Sequence, residues 1–243
     1  MGDKTKIAWS NATWNPITGC SKVSAGCKNC YAEKMAMRLQ AMGQRNYRRG
    51  FELTCHDHML DVPLRWTRPR NVFVCSMSDL FHEGVPDDFL SAVYLSMVRA
   101  RQHHFQVLTK RPENMVSHMR VLGEKYSPRD LEHIWHGVTV ENADNAGRID
   151  LLRSVDSSKR FVSFEPLLGP VGAIDLSGID WVIIGGESGP GAREMAEEWA
   201  LDVIVRARYA RCRVFMKQMG TVWAKAHGSV SRKGECVDCL LYT

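Results

Sequence analysis

Short apolar runs that alternate with amphipathic stretches restrict the fold of this chain more than any other feature of its sequence. Six runs are rich in β-branched and aromatic residues, which is typical of buried strands. They are Asn71–Cys75, His104–Thr109, Ile134–Val140, Arg160–Phe164, Trp181–Gly185 and Arg213–Lys217. Apolar residues recur at helical spacing in Tyr31–Met42, Pro86–Arg101 and Met195–Ala210. This alternation predicts an α/β fold with parallel strands and helical crossovers.

Polar clusters follow directly after the predicted strands. They are Ser76-Met77-Ser78-Asp79, Thr109-Lys110-Arg111, Glu141-Asn142, Glu165-Pro166, Gly185-Gly186-Glu187-Ser188 and Lys217-Gln218. In a barrel all these clusters would face one mouth, whereas an open doubly wound sheet would gather its ligands at one switch point. The whole set therefore favours a partial or full (β/α) barrel, although any single cluster is also typical of an ordinary polar loop.

Length and composition predict one main domain. With 243 residues and 44% hydrophobic composition, the chain can bury a large core without disulfides. We place a barrel domain at residues 1–220, with a basic insertion at about 44–70, and a C-terminal extension at 221–243. No apolar run suggests a secretory signal or a membrane span, and eight cysteines would stay reduced in the cytosol. A cytoplasmic protein without membrane association is expected, and the sequence indicates no oligomeric state.

Three cysteines lie within eleven residues, immediately before the first predicted helix. The thiolates of Cys27 and Cys30 can reach adjacent corners of a metal centre, and Cys20 completes the set. Glycines at positions 19 and 26 allow the backbone to bend around such a centre. Three protein ligands leave one iron of a cubane open to a small molecule, which indicates catalysis.

The cysteine loop resembles the cluster-binding loop of the radical S-adenosylmethionine superfamily, in which three cysteines are followed by an aromatic residue and a helix. Tyr31 takes the aromatic place here, and the gaps between the cysteines are six and two residues instead of the usual three and two. A narrower resemblance, over about residues 9–220, is to small phage-associated three-cysteine proteins of unknown function. The segments that carry it are Trp14–Cys20, Cys27–Glu33, Ser76–His82, Leu108–Pro112, Ser163–Leu167 and Gly185–Pro190.

The resemblance implies a [4Fe–4S] cluster on Cys20, Cys27 and Cys30 that cleaves S-adenosylmethionine to a 5′-deoxyadenosyl radical. The residues expected to bind the cofactor are Tyr31, Ser76, Asp79, Lys110, Glu141, Gly185 and Gly186. Among them, charge and strand-end position predict that Asp79 meets the ammonium of the cofactor, Lys110 its carboxylate and Glu141 its ribose hydroxyls.

Three further strand-end residues are candidate catalytic groups. Glu165, Glu187 and Lys217 are expected to face the substrate, and a structural ion pair is the alternative for each of them. The resemblance also implies an external electron donor such as flavodoxin or ferredoxin.

A zinc site is the alternative for the cysteine loop, with Cys55, His56 or His58 as the fourth ligand. A second metal site is also expected as a possibility near the C-terminus. A Cys-x2-Cys pair, Cys236 and Cys239, would bind an auxiliary iron–sulfur cluster or zinc together with Cys212 or Cys55, or would stay unliganded.

Two segments mix cations with aromatic residues, Arg45–Phe51 and Arg65–Arg70. Guanidinium groups neutralise phosphates, while Tyr47, Phe51 or Trp66 would offer faces on which bases stack. A solvated surface is the alternative for both segments. The net charge of +5 is compatible with a polyanionic partner and is also ordinary for an enzyme.

Three functions remain open at this point. The first is a radical enzyme that rearranges or otherwise modifies a nucleotide or DNA base by hydrogen abstraction, in a phage context and thus in the host cytoplasm. The second is a non-catalytic nucleic-acid-binding protein whose fold is stabilised by zinc or an iron–sulfur cluster. The third is a cluster-bearing partner of another protein.

Overall fold

A computed structural model describes residue 5 and residues 7–235, which fall into two compact units. The first unit contains the described residues up to Val23, together with Cys30–His136 and Val155–Ser158. The second contains Ser24–Asn29, Gly137–Ser154 and the described residues from Lys159 onward. The boundary predicted at residue 220 stays a prediction.

Nine strands and six α-helices are present in the described residues. The strands are β1 Ala12–Trp14, β2 Ile17–Thr18, β3 Thr54–Cys55, β4 Asn71–Val74, β5 His104–Thr109, β6 Ile134–Thr139, β7 Arg160–Phe164, β8 Trp181–Gly185 and β9 Arg213–Gln218. The helices are α1 Tyr31–Ala41, α2 Asp87–Arg99, α3 Pro112–Lys125, α4 Arg148–Arg153, α5 Glu197–Tyr209 and α6 Thr221–Ala226. No helix among these residues is long and apolar enough to cross a bilayer.

Seven of the strands form one sheet in the order β1-β4-β5-β6-β7-β8-β9. The pairings of β1, β4 and β5 are parallel, and so are those of β7, β8 and β9. Among the described residues, β1 and β9 stand at the two ends of this order. The predicted parallel α/β fold is confirmed, in the form of a partial barrel.

In the first unit, helix α2 shows why the predicted elements form where they do. Asp87 and Asp88 occupy its first turn and Arg99 its last, which matches the helix dipole. Phe89, Leu90, Val93, Tyr94 and Met97 lie on one face and are all buried, as their spacing predicts.

Helix α1 also forms where it is predicted, but it buries a different face. Ala32 and Ala36 are buried against Met77, whereas Met35 and Met42 are 41% and 60% exposed. The small alanines allow close packing that large methionines on that face would prevent. The apolar spacing of Tyr31–Met42 therefore predicts the helix but not the face that it buries.

In the second unit, the core strands are almost completely buried, as expected for strands covered on both faces. Gly137 of β6 shows how tightly they pack, because a Cβ atom there would lie 2.6 Å from the ring of Phe161. The pairing of β8 with β9 shifts register between Ile184 and Gly185, where the polar cluster after β8 begins.

Candidate active site

The three cysteines of the loop differ from the remaining cysteines in their surroundings. Cys20 follows β2, Cys27 ends a short 3-10 turn, and Cys30 is the residue before α1. Each is partly exposed, and none forms a disulfide. All three are therefore less buried than Cys75 and Cys212, although Cys30 also packs against the buried cluster of Ala32, Ala36 and Met77.

The other described cysteines, Cys55, Cys75 and Cys212, are buried or half-buried, as is typical of structural cysteines. Cys75 and Cys212 are buried, and burial raises the pKa of their thiols to about 12 and about 11, respectively. The Cys212 thiol donates to the carbonyl of Ile179 at 3.0 Å. Cys55 is half-buried, and burial raises its pKa as well. Cys236 and Cys239, the other members of the predicted second site, lie outside the described residues.

A buried arginine holds the Cys20 end of the loop. The guanidinium of Arg111 lies 3.5 Å from the Cys20 sulfur and donates to the backbone oxygen of Ser21 at 3.2 Å. The same group pairs with Asp79 at 3.3 Å and with Glu83 at 3.0 Å. Arg111 is only 4% exposed, so this cation is held in place beside the sulfur.

Both carboxylate oxygens of Asp79 are engaged by the protein. Oδ1 accepts from the Thr109 hydroxyl at 2.7 Å and from the Phe81 N–H at 3.1 Å. Oδ2 accepts from the Lys110 N–H at 3.1 Å and from Arg111. Asp79 thus joins the ends of β4 and β5, and its predicted contact with the cofactor ammonium stays a prediction.

Tyr31 and Ser76, two of the predicted cofactor-binding residues, are brought together by a hydrogen bond. The Tyr31 hydroxyl donates to the Ser76 backbone oxygen, and the Tyr31 side chain is 59% exposed. The Ser76 hydroxyl donates to Asn15 Oδ1 at 3.1 Å, so Asn15, after β1, fixes the turn after β4. The Lys110 side chain is partly exposed. None of these positions tests the predicted cofactor contacts.

Glu141 holds the middle of the cysteine loop. Its fully buried carboxylate accepts from the Ser24 hydroxyl at 2.5 Å and from Arg148 at 2.9 Å. Gly26 packs directly on the same side chain, because a Cβ atom there would lie 2.5 Å from Glu141 Oε1. The glycine is therefore required for close approach, and the expected role of Glu141 at the ribose stays a prediction.

Glu187 holds the next part of the loop in a similar way. Asn29 donates to Glu187 Oε2 at 2.9 Å, and Arg193 pairs with both carboxylate oxygens at 2.6 and 3.0 Å. Burial alone would raise the pKa of Glu187, but the hydrogen bonds from Arg193 and Asn29 outweigh it and lower this pKa to about 2. These contacts give Glu187 the structural ion pair that is the alternative to a catalytic role.

The low pKa of Glu187 predicts a loss of stability in acid. The folded pKa lies below the ordinary value, so the contribution of Glu187 is present above about pH 4.5 and disappears as the pH falls toward about 2. Urea unfolding across this range should show a smaller dependence on pH in Glu187→Gln than in the wild type. The control is Glu194→Gln, which removes an exposed carboxylate of the same unit. An unchanged dependence in Glu187→Gln would contradict this role.

The other candidate catalytic residues form an ion pair that solvent can reach. Lys217 Nζ lies 2.5 Å from Glu165 Oε1, and the two side chains are 24% and 21% exposed. Gly185 leaves room for Glu165, since a Cβ atom there would lie 3.2 Å from the Glu165 carboxyl carbon. The Gly186 N–H donates to the backbone oxygen of Gln218 at 2.9 Å and is thus already used. The expected cofactor contacts of both glycines stay predictions.

The alternative zinc ligands are engaged with neighbouring side chains. His56 Nε2 lies 2.8 Å from the Thr18 hydroxyl, and His58 Nε2 lies 3.1 Å from Asn46 Oδ1. Among the described residues, no three His, Cys, Asp or Glu side chains are gathered so that they could hold a metal ion. The donor chemistry of the loop fits an iron–sulfur cluster, because thiolates are its usual ligands and each binds a different iron.

Sequence reasoning missed the residues that hold the loop, namely Ser24, Asn29, Arg111, Arg148 and Arg193. One signal was present, because Glu141 and Glu187 are each followed by an arginine, seven and six residues later. Such spacing across a turn is typical of a local ion pair.

Comparison with solved structures gives four matching chains, all of them spore photoproduct lyase at 11–12% identity. A cysteine-to-serine mutant of that enzyme matches 87% of this chain with 11% identity and a TM-score of 0.50. A mutant with bound AdoMet and dinucleoside spore photoproduct matches 87% of the chain with 12% identity and a TM-score of 0.48. The chain spans 64% of the length of both structures. The first match shows a shared fold.

Sequence comparison identifies the family. No curated protein matches the chain. A family described as "Protein of unknown function (DUF5131)" matches residues 4–241. Neither this description nor those of the solved structures mentions a phage. Because the match covers nearly the whole sequence, the chain belongs to the DUF5131 family.

Proposed function

We propose that this protein is a radical S-adenosylmethionine enzyme whose [4Fe–4S] cluster is held by Cys20, Cys27 and Cys30. The observation that carries the proposal is the loop itself, in which three partly exposed cysteines lie within eleven residues. The buried residues Arg111, Glu141 and Glu187 contact this loop through Cys20, Ser24 and Asn29, respectively.

The fold supports the same proposal. The structural neighbour, spore photoproduct lyase, is a radical S-adenosylmethionine enzyme, and this chain shares its fold at 11% identity. In the first unit, the cysteine loop begins beside the carboxyl end of β4, where Gly19 bridges to Ser78. Ligand sites of parallel α/β sheets lie at these strand ends.

The chemistry that such a cluster supplies when bound is one-electron cleavage of S-adenosylmethionine to a 5′-deoxyadenosyl radical. The protein must place the reacting groups and exclude water. We assign Arg111, Glu141 and Glu187 to positioning the loop, because each contacts it directly. We assign Glu165 and Lys217 to the substrate, because their ion pair is open to solvent and can exchange partners.

The substrate, donor and location in this proposal follow from the sequence and are not tested by the fold. We propose a nucleotide or DNA base as the substrate, rearranged or otherwise modified by hydrogen abstraction. A small external donor such as flavodoxin or ferredoxin would deliver the electron, and the reaction would take place in the cytoplasm.

The test is anaerobic reconstitution of the full chain with iron and sulfide, followed by incubation with dithionite and S-adenosylmethionine. The proposal predicts brown protein with four irons per cluster-binding chain and formation of 5′-deoxyadenosine and methionine. Colourless protein that binds zinc would support the alternative of a metal-stapled, non-catalytic protein. Iron–sulfur protein that leaves the cofactor intact would support the alternative of a cluster-bearing partner.

A further inference from the structure

A cavity in the first unit has three arginines in its lining and lies outside the cysteine loop. Its volume is about 510 Å³. The lining residues fall in two segments, 45–49 and 54–58. Three of them are the exposed arginines Arg45, Arg48 and Arg49. The cavity therefore combines a concave shape with a local excess of positive charge.

The aromatic residues of this segment anchor it and leave the arginines to face outward. Tyr47 and Phe51 pack against the buried cluster of Ala32, Ala36 and Met77. Burial raises the pKa of the Tyr47 hydroxyl, which agrees with this packing. The expectation that these rings offer open faces for stacking is therefore not supported here.

Two of the three arginines are available for a ligand. None of the ion pairs found among the described residues involves Arg45 or Arg48. Arg49 pairs with Glu52 at 2.6 Å. Asp57 is the one acidic residue of the lining, so the cations outnumber it.

His56 contributes a hydrogen-bonding group to the lining more than a charge. Burial lowers the pKa of His56, and the positive charges of His58 and Arg45 lower it further. His56 and His58 are also held by Thr18 and Asn46, respectively. The anion-attracting charge is therefore supplied by arginine.

The wall of the cavity is joined to the start of the cysteine loop. Thr18 of β2 pairs with Thr54 of β3, and its hydroxyl donates to the backbone oxygen of Asn46 at 3.1 Å. Two residues later, the Cys20 N–H donates to the backbone oxygen of Phe51 at 3.3 Å. A ligand in the cavity would thus lie on the same framework that carries Cys20.

We propose that this cavity binds a backbone phosphate of a nucleic acid, with Arg45 and Arg48 as the contacting cations. Guanidinium groups bind phosphate through paired N–H donors and are the usual contacts to nucleic-acid backbones. This inference rests on the proposed function, which makes the nucleic acid the substrate. It narrows the proposed substrate class from a nucleotide or DNA base to a base within a nucleic-acid strand.

The test measures binding of a short fluorescein-labelled single-stranded DNA of mixed sequence by fluorescence anisotropy at several salt concentrations. The variant Arg45→Gln/Arg48→Gln should weaken binding roughly tenfold, because two charge-assisted hydrogen bonds are lost. The slope of log affinity against log salt should become shallower by about 0.7, the value for one phosphate that is no longer neutralised on a single strand. Circular dichroism checks that the variant is folded.

The matched control is Arg99→Gln/Arg120→Gln, which also removes two exposed arginines of the first unit. The control should bind the DNA as the wild type does. Equal weakening in both double variants would overturn the proposal, because it would assign binding to net charge alone. An unchanged salt slope in Arg45→Gln/Arg48→Gln would also overturn it, because these arginines would then neutralise no phosphate of the strand.

This experiment and the test of the proposed function can fail independently. DNA binding is measured on the full chain both before and after cluster reconstitution. Cleavage of S-adenosylmethionine is measured without nucleic acid. Suppose that the protein binds DNA, that this binding depends on Arg45 and Arg48, and that S-adenosylmethionine is not cleaved. This result would contradict the proposed reaction but not the proposed DNA-binding site.

Discussion

Replacing Cys27 with alanine is expected to abolish cleavage of S-adenosylmethionine and to lower the iron bound after anaerobic reconstitution. A cubane that loses one of its three protein thiolates is held at only two corners, which leaves it labile. The measurements are iron and labile sulfide per chain, and 5′-deoxyadenosine by chromatography. The same loss is expected for alanine at Cys20 and at Cys30.

The matched control is Cys55→Ser, which changes another half-buried cysteine. It should retain full iron content and cleavage, because Cys55 is not part of the proposed ligand set. This control also separates the two metal hypotheses, since Cys55 is one of the candidate fourth ligands of a zinc site. Cleavage by Cys27→Ala at the wild-type rate would contradict the cluster assignment.

The variant Glu141→Ala is expected to lower the free energy of unfolding by about 3–5 kcal/mol, as when one partner of a buried ion pair is removed. The Glu141 side chain is 0% exposed, and Arg148, its partner at 2.9 Å, is 11% exposed. Without the Glu141 carboxylate, the Arg148 cation has lost this partner, and the Ser24 hydroxyl has lost its acceptor. Urea unfolding measures the change. The reconstituted variant should also retain less iron, because the loop is no longer held.

Two controls define the origin of this effect. Glu194→Ala removes an exposed carboxylate of the same unit and should change the free energy of unfolding by no more than about 0.5 kcal/mol. Glu141→Gln keeps an acceptor of similar shape and should cost less than Glu141→Ala. A loss below about 1 kcal/mol in Glu141→Ala would contradict the anchoring role, because it would be ordinary for a substitution of any kind.

Much of the fold can be predicted from the sequence because local pattern and tertiary burial agree. All six predicted strands are present, and β5, β7 and β8 have the predicted bounds. Agreement fails where the local pattern is weak. Strand β1 has only three residues, and α3 buries Met115, Met119 and Leu122 among mostly polar neighbours, so neither produces a clear periodic signal.

Apolar spacing also predicts a helix more reliably than it predicts the face that the helix buries. In α5, Val203 is fully buried as expected, whereas Val205 is 48% exposed. The choice of face depends on which element packs against the helix. That information comes from contacts between residues far apart in the chain.

The sequence predicts the proposed cysteine ligands of the candidate site, but only some of the residues that hold the cysteine loop. Three thiols in one loop are visible in the sequence, as are the charged residues at the strand ends. Whether a strand-end carboxylate faces a ligand or holds a loop depends on distant partners. Ser24 and Glu141 are 117 residues apart in the chain, and Asn29 and Glu187 are 158 residues apart.

Electron paramagnetic resonance of the reconstituted, dithionite-reduced wild-type protein tests the central claim most directly. We predict the signal of a reduced [4Fe–4S] cluster whose g values change when S-adenosylmethionine is added, because one iron has no protein thiolate and is open to the cofactor. A full complement of iron with g values that S-adenosylmethionine leaves unchanged would contradict the account.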